Sequence, residues 1–302
     1  MMQIQKITSL ELPELAPYRT LKRSAAHEKL GIFVVEGDKV LDRLLESEFT
    51  VVSVLLVEER LAEYEPRLKS RPEADIKVFA CSKAAMAELA GFEIYQGVLA
   101  IAKMPARLGL DDILRTGASP RLFVALDGLS NAENVGLLMR NCAAFGVTAL
   151  ITGETCCSPF LRRTVRNSMG TIFKLPVLEL PPRAYSRRHD RVPELFPATP
   201  DGATSVSLRP ATLVETLRSL RARGFTCIAA HPHTDKKHLS QANFTGDCCV
   251  VFGSEGDGIS PDVLAVCDEA VAVPMANGVD SLNVSAAAAV FLYEANRQRG
   301  KS

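Results

Sequence analysis

Three short segments concentrate the residue types that chemistry needs. In the first, residues 127–147 (DGLSNAENVGLLMRNCAAFGV), a strand end at Asp127 leads through a polar loop into a helix that Asn134 can cap. Gly136 and Arg140 lie four apart and so share one helical face. Gly136 leaves room over that face, and Arg140 projects a planar five-donor fork beside it. A free helix N-terminus would also suit a phosphate. The bland alternative is a surface arginine on an amphipathic helix. In the second segment, residues 250–260 (VVFGSEGDGIS), a buried strand runs into Gly253, Gly256 and Gly258, with Glu255 among them. Glycines after a strand let a ligand approach the backbone closely. The spacing is not Gly-x-Gly-x-x-Gly, it has no Walker lysine, and it is not the Gly-x-Ser-x-Gly elbow of hydrolases. In the third, residues 272–299, Pro274 ends a strand and Ser281-Leu282-Asn283 opens a very apolar helix, for which Ser281 or Asn283 is a candidate N-cap.

The elements that must position these segments alternate in type. From Leu122 onward, strands at 122–127, 147–152, 225–231, 248–253 and 270–274 are interleaved with helices at 134–146, 213–224 and 283–299. Such alternation predicts a mostly parallel sheet covered on both faces. A second, smaller α/β pattern occupies residues 1–106. It has a helix after Gly37, strands at 51–57, 75–80 and 97–103, and a helix from Ser82 to Gly91 with termination signals at both ends. The stretch 105–121 has two prolines and two glycines, so residues 107–120 read as the linker to a second domain over 121–302, and the Pro- and Arg-rich stretch 181–212 reads as an inserted loop.

Composition sets limits on function. The chain has 302 residues, 47% hydrophobic and 23% charged, and a formal net charge of zero, so any grip on nucleic acid must come from local clusters. No apolar run reaches the roughly 18–20 residues of a membrane span, and the N-terminus lacks the order of a signal peptide, which predicts a cytoplasmic protein. The eight cysteines, none in a Cys-x-x-Cys motif, read as small buried hydrophobes, and no metal site is expected. His231 and His233 read as the polar end of a strand.

Taken together, in this order and at these separations, the three segments resemble the SpoU (TrmH-type) branch of the SPOUT methyltransferases. Asn134, Gly136 and Arg140 match the first motif; Gly253, Glu255 and Gly256 the second; Pro274, Met275, Ser281, Leu282, Asn283 and Ser285 the third. Residues 166–170 are similar to the family's Arg-x-Ser-Met-Gly element. Phe33 to Gly37 and Tyr95 to Ala100 are similar to the substrate-binding domain often fused to it. The resemblance implies an α/β fold with a C-terminal trefoil knot, a homodimer, and metal-free methyl transfer from S-adenosylmethionine to a ribose 2′-hydroxyl of ribosomal or transfer RNA. It implies catalytic roles for Arg140, Asn134, Glu255, Ser281 and Asn283, with Glu255 holding Arg140 or nearby backbone groups. It implies that Gly253, Val273, Met275, Leu282 and Ser285 contact the cofactor. Since a neutral guanidine is costly, Arg140 is expected to position and polarise the hydroxyl while a substrate phosphate takes the proton. RNA contacts are expected at Arg19, Lys22 and Arg23, at Arg162, Arg163 and Arg166, and in the inserted loop at Arg183, Arg187, Arg188 and Arg191. The competing readings are a non-catalytic RNA-binding or ribosome-assembly scaffold and an N1-guanosine methyltransferase.

Overall fold

Strands buried almost throughout organise the chain into two sheets, as seen in a computed structural model that describes residues 3–7, 9–73, 75–115, 117–181, 211–232 and 237–300. Residues 182–210 of the inserted loop, with Arg183, Arg187, Arg188 and Arg191, lie outside these residues, as does His233. The first sheet contains β1 (Gln3–Lys6), β2 (Ile32–Glu36), β3 (Val51–Val57), β4 (Lys77–Cys81) and β5 (Val98–Lys103), in the order β1-β4-β3-β5-β2. β5 is antiparallel to both its neighbours, and the other pairs are parallel. Its helices are α1 (Ala16–Arg19), α2 (Ser24–Lys29), α3 (Asp38–Leu45), α4 (Leu61–Lys69) and α5 (Lys83–Ala90). The termination signals of α5 act as expected: Ser82 Oγ accepts from Ala85 N, and Gly91 takes φ +74°.

After α6 (Leu110–Arg115), the chain builds β6 (Leu122–Leu126), α7 (Ala132–Ala144), β7 (Ala149–Thr152), α8 (Arg162–Asn167), β8 (Val177–Glu179), α9 (Leu213–Ala222), β9 (Thr226–Ala230), β10 (Cys248–Phe252), α10 (Pro261–Leu264), β11 (Glu269–Val271) and α11 (Val284–Gln298). The six strands form an all-parallel sheet ordered β11-β9-β10-β6-β7-β8. Alternate residues serve opposite faces: Leu122, Val124 and Leu126 meet α7 and α11, while Phe123 and Ala125 meet α6, α9 and α10. The stretch 107–120 is therefore more than a spacer, because α6 seats the fully buried Ile113 in the second sheet's core.

The two halves share one core. Phe33 and Phe49 of the first half pack on Phe160 and Phe173 of the second, with ring centroids 5.3 Å apart for Phe33–Phe160 and 5.2 Å for Phe49–Phe173. Glu36, buried at the end of β2, accepts from Arg162 and from Arg166 Nη1, the latter at 2.7 Å. The face of α8 that holds these arginines is thus turned to the first sheet. Another face packs on α7, where Gly136 does something the spacing alone did not show. A β-carbon there would lie 2.6 Å from both Asn167 Cβ and Thr164 O, so the room over Gly136 is filled by α8 itself.

Two outcomes follow from this docking. Gly136→Ala should force α8 outward and cost about 1–3 kcal/mol by overpacking, read as a lowered denaturant midpoint. Glu36→Ala leaves Arg162, only 15% exposed, without its counter-charge and should cost about 3 kcal/mol; a midpoint equal to wild type would refute the clamp.

Candidate active site

The C-terminal ends of β9, β10 and β11 open into a cavity of about 220 Å³, the edge of a parallel sheet where ligands characteristically bind. Three chain segments meet there. The turn after β10 closes on itself: Ser254 N donates to Gly258 O at 2.9 Å and Gly258 N to Ser254 O at 3.2 Å. Gly253 is required by this closure, since a β-carbon would fall 2.1 Å from the Gly258 carbonyl carbon, whereas one on Gly256 would meet nothing within 4 Å. Asp127, at the end of β6, fixes the turn's far side by accepting from Ser260 N at 2.7 Å.

Asn134 joins the segments. Its Nδ2 donates to Glu255 Oε1 at 2.6 Å, and its Oδ1 accepts from Asn283 Nδ2 at 3.1 Å. Asn283 Oδ1 in turn accepts from Ser285 N at 2.9 Å and Ser285 Oγ at 2.7 Å, which makes Asn283 the N-cap of α11. Glu255 therefore holds Asn134 and not Arg140. Nor is Asn134 a cap. Asn131 caps α7, accepting from Glu133 N at 2.9 Å and Asn134 N at 3.3 Å, so the helix starts two residues earlier than its apolar periodicity suggested. That frees Asn134, 8% exposed, for its long-range contacts. A residue overlooked in the sequence completes the junction: Asn141 Nδ2 donates to Ser285 O at 2.7 Å. Its position, two helical turns after Asn134, was the available signal.

Gly253, Val273, Met275 and Leu282 line the cavity, as do Glu255 and Ser281. Ser285 does not; its hydroxyl is committed to Asn283. The lining combines apolar side chains with the 253–258 turn and a few polar groups, among them Glu255 and Ser281, which fits a compact nucleoside-like cofactor with a hydrophobic body and polar edges. Arg140 is exposed on α7, one turn beyond Gly136, and makes no hydrogen bond or ion pair among the described residues. Arg163 shares that condition on α8. The other basic residues divide. Lys22 and Arg23 are exposed, whereas Arg19 donates to the carbonyls of Leu10 and Leu12, and Arg162 is committed to Glu36. Arg166 contacts Glu36 but stays 57% exposed. Among the described residues no group of three His, Cys, Asp or Glu is arranged to hold a metal. Burial pushes all eight thiols above their ordinary range, as expected for packing residues. Among the same residues no helix is long and apolar enough to cross a membrane.

Residues 121–185 and 193–293 match the SpoU rRNA Methylase family, and residues 16–100 match the MRM3-like substrate binding domain. An uncharacterized tRNA/rRNA methyltransferase of Mycobacterium bovis is 29% identical over 98% of this chain and 93% of its own length. The 23S rRNA (guanosine-2'-O-)-methyltransferase RlmB of Vibrio vulnificus is 30% identical over 68% of this chain and 71% of its own. Among solved structures, the SpoU methyltransferase AviRb of Streptomyces viridochromogenes in complex with AdoMet has the same fold, with a TM-score of 0.74 at 23% identity, covering 96% of this chain and all of that one. An AdoMet-bound rRNA methyltransferase of Sinorhizobium meliloti also has a TM-score of 0.74, at 20% identity, over 97% of this chain and 98% of its own. With the family pattern matched across both sheet-end turns and α7, the chain belongs to the SpoU rRNA methylase family.

Proposed function

We propose that this protein transfers a methyl group from S-adenosylmethionine to a ribose 2′-hydroxyl of ribosomal or transfer RNA. The observation that carries the reading is the hydrogen-bond chain from Glu255 through Asn134 to Asn283, which brings the three motif segments together beside the cavity. Family membership, the RlmB relative and the AdoMet-bound structures of the same fold support it. Residues 1–106 act as the RNA-binding domain and 121–302 as the methyltransferase domain. The C-terminal segment forms the family's trefoil knot, and the protein works in the cytoplasm as a homodimer. For the homodimer, α11 offers an outward stripe of Ala286, Val290 and Tyr293 opposite its buried face of Ala288, Phe291, Leu292 and Ala295.

Gly253, Val273, Met275 and Leu282 would hold the cofactor, which when bound supplies a methyl carbon on a good sulfonium leaving group. The chain's own task is then to orient the acceptor hydroxyl and help it shed a proton. Arg140, with its donors uncommitted, hydrogen-bonds the ribose and the neighbouring phosphate, and that phosphate takes the proton. Glu255, Asn134 and Asn283 hold α7 and the 272–283 loop in register, and Ser281 contacts the ribose at the cavity wall.

Incubation with methyl-labelled S-adenosylmethionine and unmodified RNA, followed by nucleoside mass spectrometry, should yield a 2′-O-methylnucleoside. An N1-methylguanosine product, or no transfer and no cofactor binding, would overturn the reading. Arg140→Lys should keep its folding and cofactor affinity yet lose about 10²-fold in kcat, because the ammonium cannot reproduce the fork. Asn134→Ala strands Glu255 and Asn283 together and should cost about 1–3 kcal/mol in stability as well as activity. Asn134→Asp should be worse than alanine at neutral pH, because it sets two carboxylates against each other. Equal thermal midpoints for the two variants would contradict this.

A further inference from the structure

Scattered exposed apolar side chains are ordinary, but Tyr95 differs from the others in its setting. It is 95% exposed in the turn between α5 and β5, and the chain around it is pinned. Gly97 N donates to Ile94 O at 3.1 Å, Val57 N to Gly97 O at 2.9 Å, and Asp38 N to the Gln96 side-chain carbonyl at 3.1 Å. The ring thus stands in solvent on a fixed base.

Two cations lie beside that base. Phe92, three residues earlier, lies under both, with Arg162 Cζ 4.9 Å and Lys22 Nζ 5.8 Å from its ring centre. On the other side, Gln96 abuts Gly37, the neighbour of Glu36, which holds Arg166. From Arg166 the surface continues along α8 to Arg163. It then crosses at the Gly136–Asn167 contact to α7 and Arg140. Arg140, Arg163 and Arg166 are thus exposed on two helices packed against each other, one of which is clamped to β2 of the first domain.

We propose that Tyr95 is a stacking platform for an unpaired RNA base, and that Arg140, Arg163 and Arg166 carry the intervening phosphates to it. The inference rests on the RNA-methyltransferase reading and adds a positioning residue outside the methyltransferase sheet. A flat π surface flanked by guanidinium groups is the arrangement that single-stranded nucleic acid engages, base on ring and phosphate on cation. A protein partner would instead use Tyr95 as an apolar anchor, for which leucine is a fair substitute.

The test measures binding of unmodified ribosomal RNA, transcribed in vitro, to the full chain across a salt series, alongside methylation kinetics. Tyr95→Ala and Tyr95→Leu should each weaken binding about tenfold and raise KM for RNA, with kcat and cofactor affinity unchanged; Tyr95→Phe should behave as wild type. Stacking releases no counterions, so the salt slope of the Tyr95 variants should match wild type, while Arg163→Ala should flatten it by about one unit. Wild-type binding and KM in Tyr95→Ala, or rescue by leucine as good as by phenylalanine, would overturn the stacking role while leaving the methyltransferase reading intact. Failure of the wild-type protein to bind or methylate RNA would overturn both.

Discussion

The amide of Asn134 is the joint on which the active-site face depends. It must donate to Glu255, because an ionised carboxylate only accepts, and that fixes its Nδ2. Its Oδ1 is then left to accept, so Asn283 must turn its own Nδ2 inward. Asn283 Oδ1 is thereby aimed at Ser285 N, where it caps α11. One carboxylate and one backbone N–H thus determine the orientation of both amides between them. The contacts span 121 and 149 residues of sequence, so the arrangement exists only once the parallel sheet has brought its strand ends together. No smaller or singly functional side chain could do this; aspartate would lack the donor and serine the reach.

Helix α8 is the corresponding constraint between the two sheets. It is six residues long, too short to be stable alone, yet it meets α7 through Gly136, β2 through Glu36 and the front sheet's aromatic cluster through the preceding Phe160. Its arginines are divided by face. Arg162 is given to the clamp, Arg163 to solvent, and Arg166 to both. α8 therefore links the front domain to α7, the helix that carries Arg140. Substrate-binding and catalytic halves joined by a flexible tether would lack such a connection. Here residues 107–120 fold α6 into the second sheet's core.

The site was more legible than its wiring. Strands such as 122–126 and 248–252, buried on both faces, announce themselves as continuous apolar runs, and the glycine turn and the Ser-Leu-Asn helix start are local signals. Short elements such as β1, β8 and α8 escaped because they have too few residues for periodicity and are held by tertiary pairing. The partners of Glu255 escaped for a different reason. The family resemblance implied Arg140 or nearby backbone groups, but the fold delivers an amide whose two-sided hydrogen bonding the chain uses structurally. Gly136 was read as leaving room over its helical face and Gly253 as letting a ligand approach the backbone. In both cases the space is taken by the chain itself, a distinction that residue type alone does not encode.

The zero net charge of the chain, which counted against RNA as a partner, is explained by where the charges go. Several arginines are spent inside the fold. Arg71 is held by Glu73, Arg162 by Glu36, and Arg121 by Asp247, whose carboxyl is partly buried yet pulled below its usual range by the Arg121 donors and Ser119. Arg299 is consumed on the carbonyls of Phe244 and Gly246, tying the end of α11 to the start of the sheet. Charges committed inside the fold do not reach solvent, so the balance of the whole says nothing about any one surface. Across α7 and α8, Arg140 and Arg163 have no carboxylate partner among the described residues, and Arg166 shares with Arg162 a single carboxylate, which it only partly covers. A phosphate backbone senses that local excess within roughly a Debye length, about 8–10 Å at physiological salt, and the distant acids are screened.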